Sequence, residues 1–216
     1  MVGENVKNWF PNINVDKPST PQNLQNNGGI LRESNILSNI PKRFAKTTLS
    51  ASGVPFLDEL KAFCLAPSDK VFILTGSVGT GKTTSMIAAM HERALNGLNS
   101  GLYFTMRMLP ASIRTCRSFS AKENEEDFIT RFSTTPFLCL DELGSSEDSN
   151  LEQNFVRTIL ALRYDNMLPT MIATNFAWEA LKEFLTKGIA RSDEIIDRLK
   201  SITTVKALTG ESKRGK

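Results

Sequence analysis

Gly76-Ser77-Val78-Gly79-Thr80-Gly81-Lys82-Thr83, one residue after the apolar run Val71-Phe72-Ile73-Leu74, decides the fold. The eight residues satisfy G-x-x-x-x-G-K-[ST], and they have the context that pattern needs: a buried strand before them and a helix-forming run after. The glycines let the backbone turn tightly, so that successive N–H groups point into one concavity and hold phosphate oxygens. Lys82 would reach the β- and γ-phosphates as a point charge, and the Thr83 hydroxyl would ligate Mg²⁺. The helix beginning near Gly81 adds its positive N-terminal end to the same anion site. The competing reading is a Gly-rich strand-to-helix turn that holds no nucleotide.

The rest of the chain bounds what that loop can belong to. Its 216 residues are 40% hydrophobic and 23% charged, enough for one domain of α/β size plus an extra segment. A net charge of +3 is too small to argue for nucleic acid by itself, so the placement of the arginines matters more than their number. No apolar run approaches the ~18 residues that cross a bilayer, and the first residues lack a signal-peptide core. Cys64, Cys116 and Cys139 are odd in number and widely spaced, which argues against disulfides and a zinc site and for a cytoplasmic protein. His91, the single histidine, falls inside the helix after the loop and reads as structural or surface-exposed.

Residues 1–39 are rich in Asn, Pro, Gly and Ser without a sustained period, and read as a flexible arm. Trp9-Phe10-Pro11 is its one large apolar cluster: either a partner-binding anchor or a group that packs back on the domain. The ordered part, 40–216, opens at Ile40-Pro41-Lys42-Arg43-Phe44. Periodicity then predicts a helix over Pro55–Phe63, a strand at Val71–Thr75, and a helix from Lys82 to about Leu95 with Met86, Ile87, Met90, Ala94 and Leu95 toward a sheet. A strand at Leu102–Met106 precedes two helical pieces, Met108–Arg117 and Glu123–Phe132. The strand Phe137–Leu140 ends in Asp141-Glu142, and a helix covers Leu151–Arg163. A strand at Thr170–Thr174, helices near Trp178–Leu185 and Asp193–Lys200, and a strand at Thr203–Leu208 complete the domain. Strands and helices alternating at these lengths predict a parallel sheet with helices on both faces.

Four residues downstream of the loop carry the remaining chemistry. Asp141 and Glu142 close a buried strand, at the end where ligands sit in open α/β sheets. Asp141 would hold Mg²⁺ through water, while Glu142 orients and activates the attacking water. Asn175, at the tip of the fourth strand, either senses the γ-phosphate or N-caps the next helix. Arg198 either reaches a neighbouring subunit's nucleotide to stabilise transition-state charge, or forms a surface ion pair with Asp197 or Glu194.

These residues resemble the AAA+ helicase-loader ATPases of bacteria and phages, the DnaC/DnaI group, with the transposition helper IstB close by. Ile40–Phe44 with Thr48-Leu49 looks like that family's lead-in to the nucleotide site. The phosphate loop and Leu140-Asp141-Glu142-Leu143-Gly144 look like its two Walker motifs, and Ala173-Thr174-Asn175 matches its first sensor. Ile196-Asp197-Arg198-Leu199 looks like the element bearing its arginine finger. Gly210-Glu211-Ser212-Lys213-Arg214 is similar to its closing Gly-x-Ser-Tyr-Arg, but Lys213 replaces the aromatic, which leaves a second sensor role for Arg214 open. The resemblance implies a P-loop NTPase fold of the AAA+/ASCE type and ATP with Mg²⁺ as ligands. Gly76 to Thr83 and the adjoining Thr84 would be the nucleotide-binding residues, Thr83 and Asp141 the metal site, and Glu142, Asn175 and Arg198 the catalytic set.

It also implies the partners: a hexameric replicative helicase, single-stranded DNA, and further copies of the chain through Arg198. The segment between Met108 and Phe132 takes the place of the family's DNA-lining insert, and Arg107, Arg114, Arg117 and Lys122 cluster there beside Phe119. Arginines tracking phosphates with an aromatic for stacking suit single-stranded DNA. Against that, Glu123, Glu125, Glu126 and Asp127 follow at once, as on a solvated helix face. The loaders' separate helicase-binding domain has no counterpart within the forty residues before the core. The leading expectation is therefore an ATP-dependent helicase loader. An IstB-like ATP-gated helper of a transposase is the alternative, and a small P-loop kinase is disfavoured because Asp141, Glu142 and Asn175 suit water as acceptor.

Overall fold

The computed structural model describes residues 40–66, 69–98, 101–188 and 192–210, with the side chains of 192–196 set aside. Trp9 and the rest of 1–39, the side chains of Glu194, Ile195 and Ile196, and Arg214 lie outside the described residues.

Five parallel strands form one sheet: β1 (Val71–Thr75), β2 (Leu102–Thr105), β3 (Leu138–Leu143), β4 (Thr170–Thr174) and β5 (Thr203–Ala207), in the order β2-β3-β4-β1-β5. β1 and β4 are buried at every position, as continuous apolar runs must be when both faces are covered. Strand alternation splits the core in two. Val71 and Ile73 face one layer with Leu140, Ile172, Phe128, Phe132, Phe155 and Ile159, and Phe72 and Leu74 face the other with Cys139, Met171, Met86, Ile87 and Leu60.

The helices are α1 (Leu57–Leu65), α2 (Lys82–Leu95), α3 (Leu109–Cys116), α4 (Glu125–Thr134), α5 (Ser149–Asp165), α6 (Trp178–Thr186) and α7 (Ser192–Ile202). α1 and α2 cover the second layer, and α3 to α7 contribute to the first. Asn124 opens α4 with a reciprocal capping box to Asp127, and Asp148 caps α5 through the Leu151 N–H. In α2, Met86, Ile87 and Met90 are buried as expected, but Ala94 and Leu95 are exposed. The last turn runs past the core, and the residue buried there is Arg93, whose guanidinium stacks over Phe137 at 4.5 Å and bonds the Cys64 carbonyl. Strand β2 stops at Thr105 and turns through a 3-10 segment, Met106–Met108.

β3 runs further than periodicity suggested, through Asp141-Glu142 to Leu143. Leu140 pairs with Ile172 and Leu143 with Thr174, so two residues oppose one and β3 bulges at the two carboxylates. A bulge re-aims side chains that a regular ladder would keep alternating. Glu142 takes φ 58°, a left-handed conformation that costs a non-glycine residue about 1–3 kcal/mol.

Candidate functional site

The strand order places the tips of β1, β3 and β4 side by side, so Asn175 stands between the phosphate loop and the two acids. Gly76 leaves β1 at φ 140°, and a Cβ there would overlap the Leu208 carbonyl oxygen, so the turn accepts only glycine. Gly79 and Gly81 also lie at positive φ, and α2 starts at Lys82 with its N-terminal end facing the loop. Lys82 Nζ donates to Gly76 O at 2.6 Å, Ser77 O at 2.8 Å and Asn175 Oδ1 at 2.9 Å. The ammonium thus spans the loop and the fourth strand. Ala177, without a side-chain bond, is the N-cap of α6, so Asn175 is not serving as that cap.

Thr83 Oγ1 donates to Asp141 Oδ2 at 2.8 Å. Asp141 is 3% exposed and its Oδ1 accepts the Glu142 N–H at 2.9 Å, so hydrogen bonds hold the buried carboxylate. Among the described residues no three His, Cys, Asp or Glu side chains cluster as a metal cage. One buried carboxylate beside one hydroxyl at a phosphate loop fits Mg²⁺ instead, which keeps waters and takes the rest of its shell from nucleotide phosphates.

Glu142 Oε2 accepts from Thr105 Oγ1 at 3.0 Å and pairs with Arg107 Nη2 at 3.0 Å. A cavity of about 340 Å³ joins Gly79, Lys82, Thr83, Asp141, Glu142 and Asn175 with Arg43 and Phe44, so the Ile40–Phe44 segment does reach the site. Val78 and Thr84 line the same cavity. Thr80 is buried instead, its hydroxyl closing the loop on Ser77 O at 2.9 Å.

The four basic residues proposed for DNA separate into two pairs. Arg107 is committed to Glu142, and Arg117 makes a two-point bond to Glu125 at 2.9 and 3.0 Å. Arg114 and Lys122 are exposed, with no ion pair among the described residues. Phe119 projects fully into solvent between α3 and α4. Arg198 is exposed, its guanidinium 5.7 Å from the Tyr164 ring centroid, while Asp197 bonds Lys200 rather than Arg198. His91 is structural, its Nδ1 2.7 Å from Thr47 O.

Sequence reading missed Tyr103 and Thr105, which bond the two acids from the neighbouring strand. Their spacing of two puts them on one face of β2, but that signal becomes useful only once β2 is known to pair with β3. It also missed Glu152, fully buried, which accepts from the Gly144 and Ser146 N–H groups and fixes the turn after Glu142. Burial raises the Glu152 pKa and those two bonds lower it.

A family model described as IstB-like ATP binding protein matches residues 43–216. The chain belongs to that family. The replicative helicase loader DnaI of Bacillus subtilis (strain 168) is 26% identical over 164 residues, 73% of this chain and 51% of that protein. The replicative helicase loader DnaC of Buchnera aphidicola subsp. Acyrthosiphon pisum (strain APS) is 26% identical over 129 residues, 60% and 50% of the two chains. This IstB-like chain therefore spans about half the length of the curated relatives it matches. A crystal structure of DnaI superposes with a TM-score of 0.63 at 21% identity, covering 79% of this chain and 95% of that one, a likeness of fold. The resemblance drawn from the Walker-type motifs holds, and so does the parallel P-loop fold. Among the described residues no helix is long and apolar enough to cross a membrane.

Proposed function

We propose that this chain is an ATP-hydrolysing switch that helps place a hexameric replicative helicase on single-stranded DNA in the cytoplasm. The observation that carries the reading is the convergence of Lys82, Asn175, Thr83, Asp141 and Glu142 on one cavity. Lys82 would exchange its bonds to Gly76 O and Ser77 O for phosphate oxygens, while the loop's N–H groups and the α2 N-terminus hold the same anion. Thr83 and Asp141 would hold Mg²⁺, which when bound neutralises charge on the β- and γ-phosphates. Glu142, once it leaves Arg107, takes the proton of the attacking water, and Asn175 orients that water or the γ-phosphate. Arg198, exposed on α7, would complete a neighbouring copy's site.

Arg114, Lys122 and Phe119 form the surface best suited to single-stranded DNA, two cations beside a projecting aromatic. Arg107 and Arg117 would join them only by leaving their carboxylates. The arm 1–39 is the proposed helicase-gripping segment, and 40–216 the ATPase domain. Relatives named as helicase loaders support this reading over the transposase helper. Affinity capture from the native host decides between them. Recovery of a replicative helicase, in an ATP-dependent manner and lost in Lys82→Ala, is the expected result; recovery of a transposase would overturn it.

A further inference from the structure

Asp141 receives three donors, and one has no place in the motifs. The Tyr103 hydroxyl donates to Asp141 Oδ2 at 2.7 Å, the same oxygen that accepts Thr83 Oγ1 at 2.8 Å. Tyr103 lies opposite Cys139 in the β2–β3 ladder, two residues short of Asp141, and only 7% of it is exposed. A diagonal neighbour on a sheet face sits about 7–8 Å away, beyond a serine or threonine but within reach of a phenol. Thr105, directly opposite Asp141, bonds Glu142 instead. The Tyr103 ring belongs to the core layer of Phe72, Leu74 and Met86, a packing role that phenylalanine would fill equally. The hydroxyl is therefore there for Asp141.

Resting on the reading of Thr83 and Asp141 as the Mg²⁺–nucleotide site, we propose that Tyr103 is a positioning residue for that site. Its hydroxyl fixes the buried Asp141 carboxylate in the rotamer that already engages Thr83. Mg²⁺ tolerates little departure from octahedral geometry, so a carboxylate set beforehand binds it better than one that must be ordered.

Tyr103→Phe in the full chain removes that one bond. The measurement is the affinity of a fluorescent ATP analogue in EDTA and in excess Mg²⁺, whose ratio is the metal-dependent gain. The gain should fall about tenfold while binding in EDTA is unchanged. An unaltered gain, or an equal weakening under both conditions, overturns the inference and leaves Tyr103 a packing residue. A wild-type chain that binds no nucleotide under either condition instead overturns the underlying site, and the inference with it. If Tyr103→Phe fails to fold, 3-fluorotyrosine labelling of the wild-type chain serves, since its two tyrosines give two ¹⁹F signals that Tyr164→Phe assigns. Mg²⁺ added to the nucleotide complex should shift the Tyr103 signal; a signal that does not move overturns the proposal.

Discussion

Arg107→Ala tests how Glu142, the proposed general base, is restrained. Glu142 Oε2 is shared between Thr105 and Arg107, and in that position it faces a guanidinium instead of a water. If Glu142 must leave Arg107 to act, the pair is a brake whose strength is the energy of that contact. The Arg107 side chain is 63% exposed, and exposed ion pairs contribute about 0.2–1 kcal/mol. Removing it should then raise kcat about 1.5- to 5-fold without DNA or partner. KM for ATP should be unchanged, because Arg107 does not line the nucleotide cavity. Phosphate release at saturating ATP is the assay, and added salt should speed the wild type more than the variant because it screens the same pair. A tenfold fall in kcat with ATP binding intact would refute the brake and make Arg107 a contributor to the reaction.

Elsewhere the structure sets equally definite expectations. Arg163 is fully buried, with no carboxylate partner among the described residues, and donates to Phe132 O, Thr135 O, Pro169 O and Thr170 Oγ1; burial lowers its pKa to about 9, so it is still a cation at neutral pH. Arg163→Ala strands those acceptors and should cost about 4 kcal/mol in urea unfolding, and a loss below about 1 kcal/mol would show the site rehydrates. Burial pushes the Cys64 thiol up to about 11 and also raises that of Cys139, and both are buried, so iodoacetamide should label the half-buried Cys116 first and the other two only after unfolding. Rapid native labelling of Cys139, read by peptide mass, would contradict that order. Charge reversal of both Arg114 and Lys122 should weaken single-stranded DNA binding at least tenfold and flatten its salt dependence, whereas an unchanged affinity would move the DNA path off this face.

Much of this was legible from residue order because the signals were local. Val71–Leu74 and Met171–Ala173 are apolar runs that each end at a threonine, and the strands are Val71–Thr75 and Thr170–Thr174 as expected. The phosphate loop, Asp141 and Asn175 announce themselves by spacing, and they do meet at one cavity. What stayed hidden depends on strand order. Nothing in Leu102–Thr105 says that it lies against β3, so Tyr103 and Thr105 read as ordinary strand residues. The bulge that carries Glu142 into the left-handed region is likewise set by pairing with β4, and periodicity ended the strand too early. Arg107 and Arg117 read as DNA contacts because charge clusters are visible in sequence while their partners, 35 and 8 residues away, are not. Arg163 is only the last residue of a predicted helix, with no local signal of burial; its burial follows from four acceptors contributed by the end of α4 and the start of β4.

In the proposed function Gly76–Thr83 and Asp141 bind ATP while Glu142 activates water. Glu142→Gln keeps the shape and the Thr105 contact, and removes the base together with its charge pairing to Arg107. Measured side by side, ATP affinity should stay within about twofold of wild type while phosphate release falls at least a hundredfold. A variant that hydrolyses ATP as fast as the wild type would contradict the account.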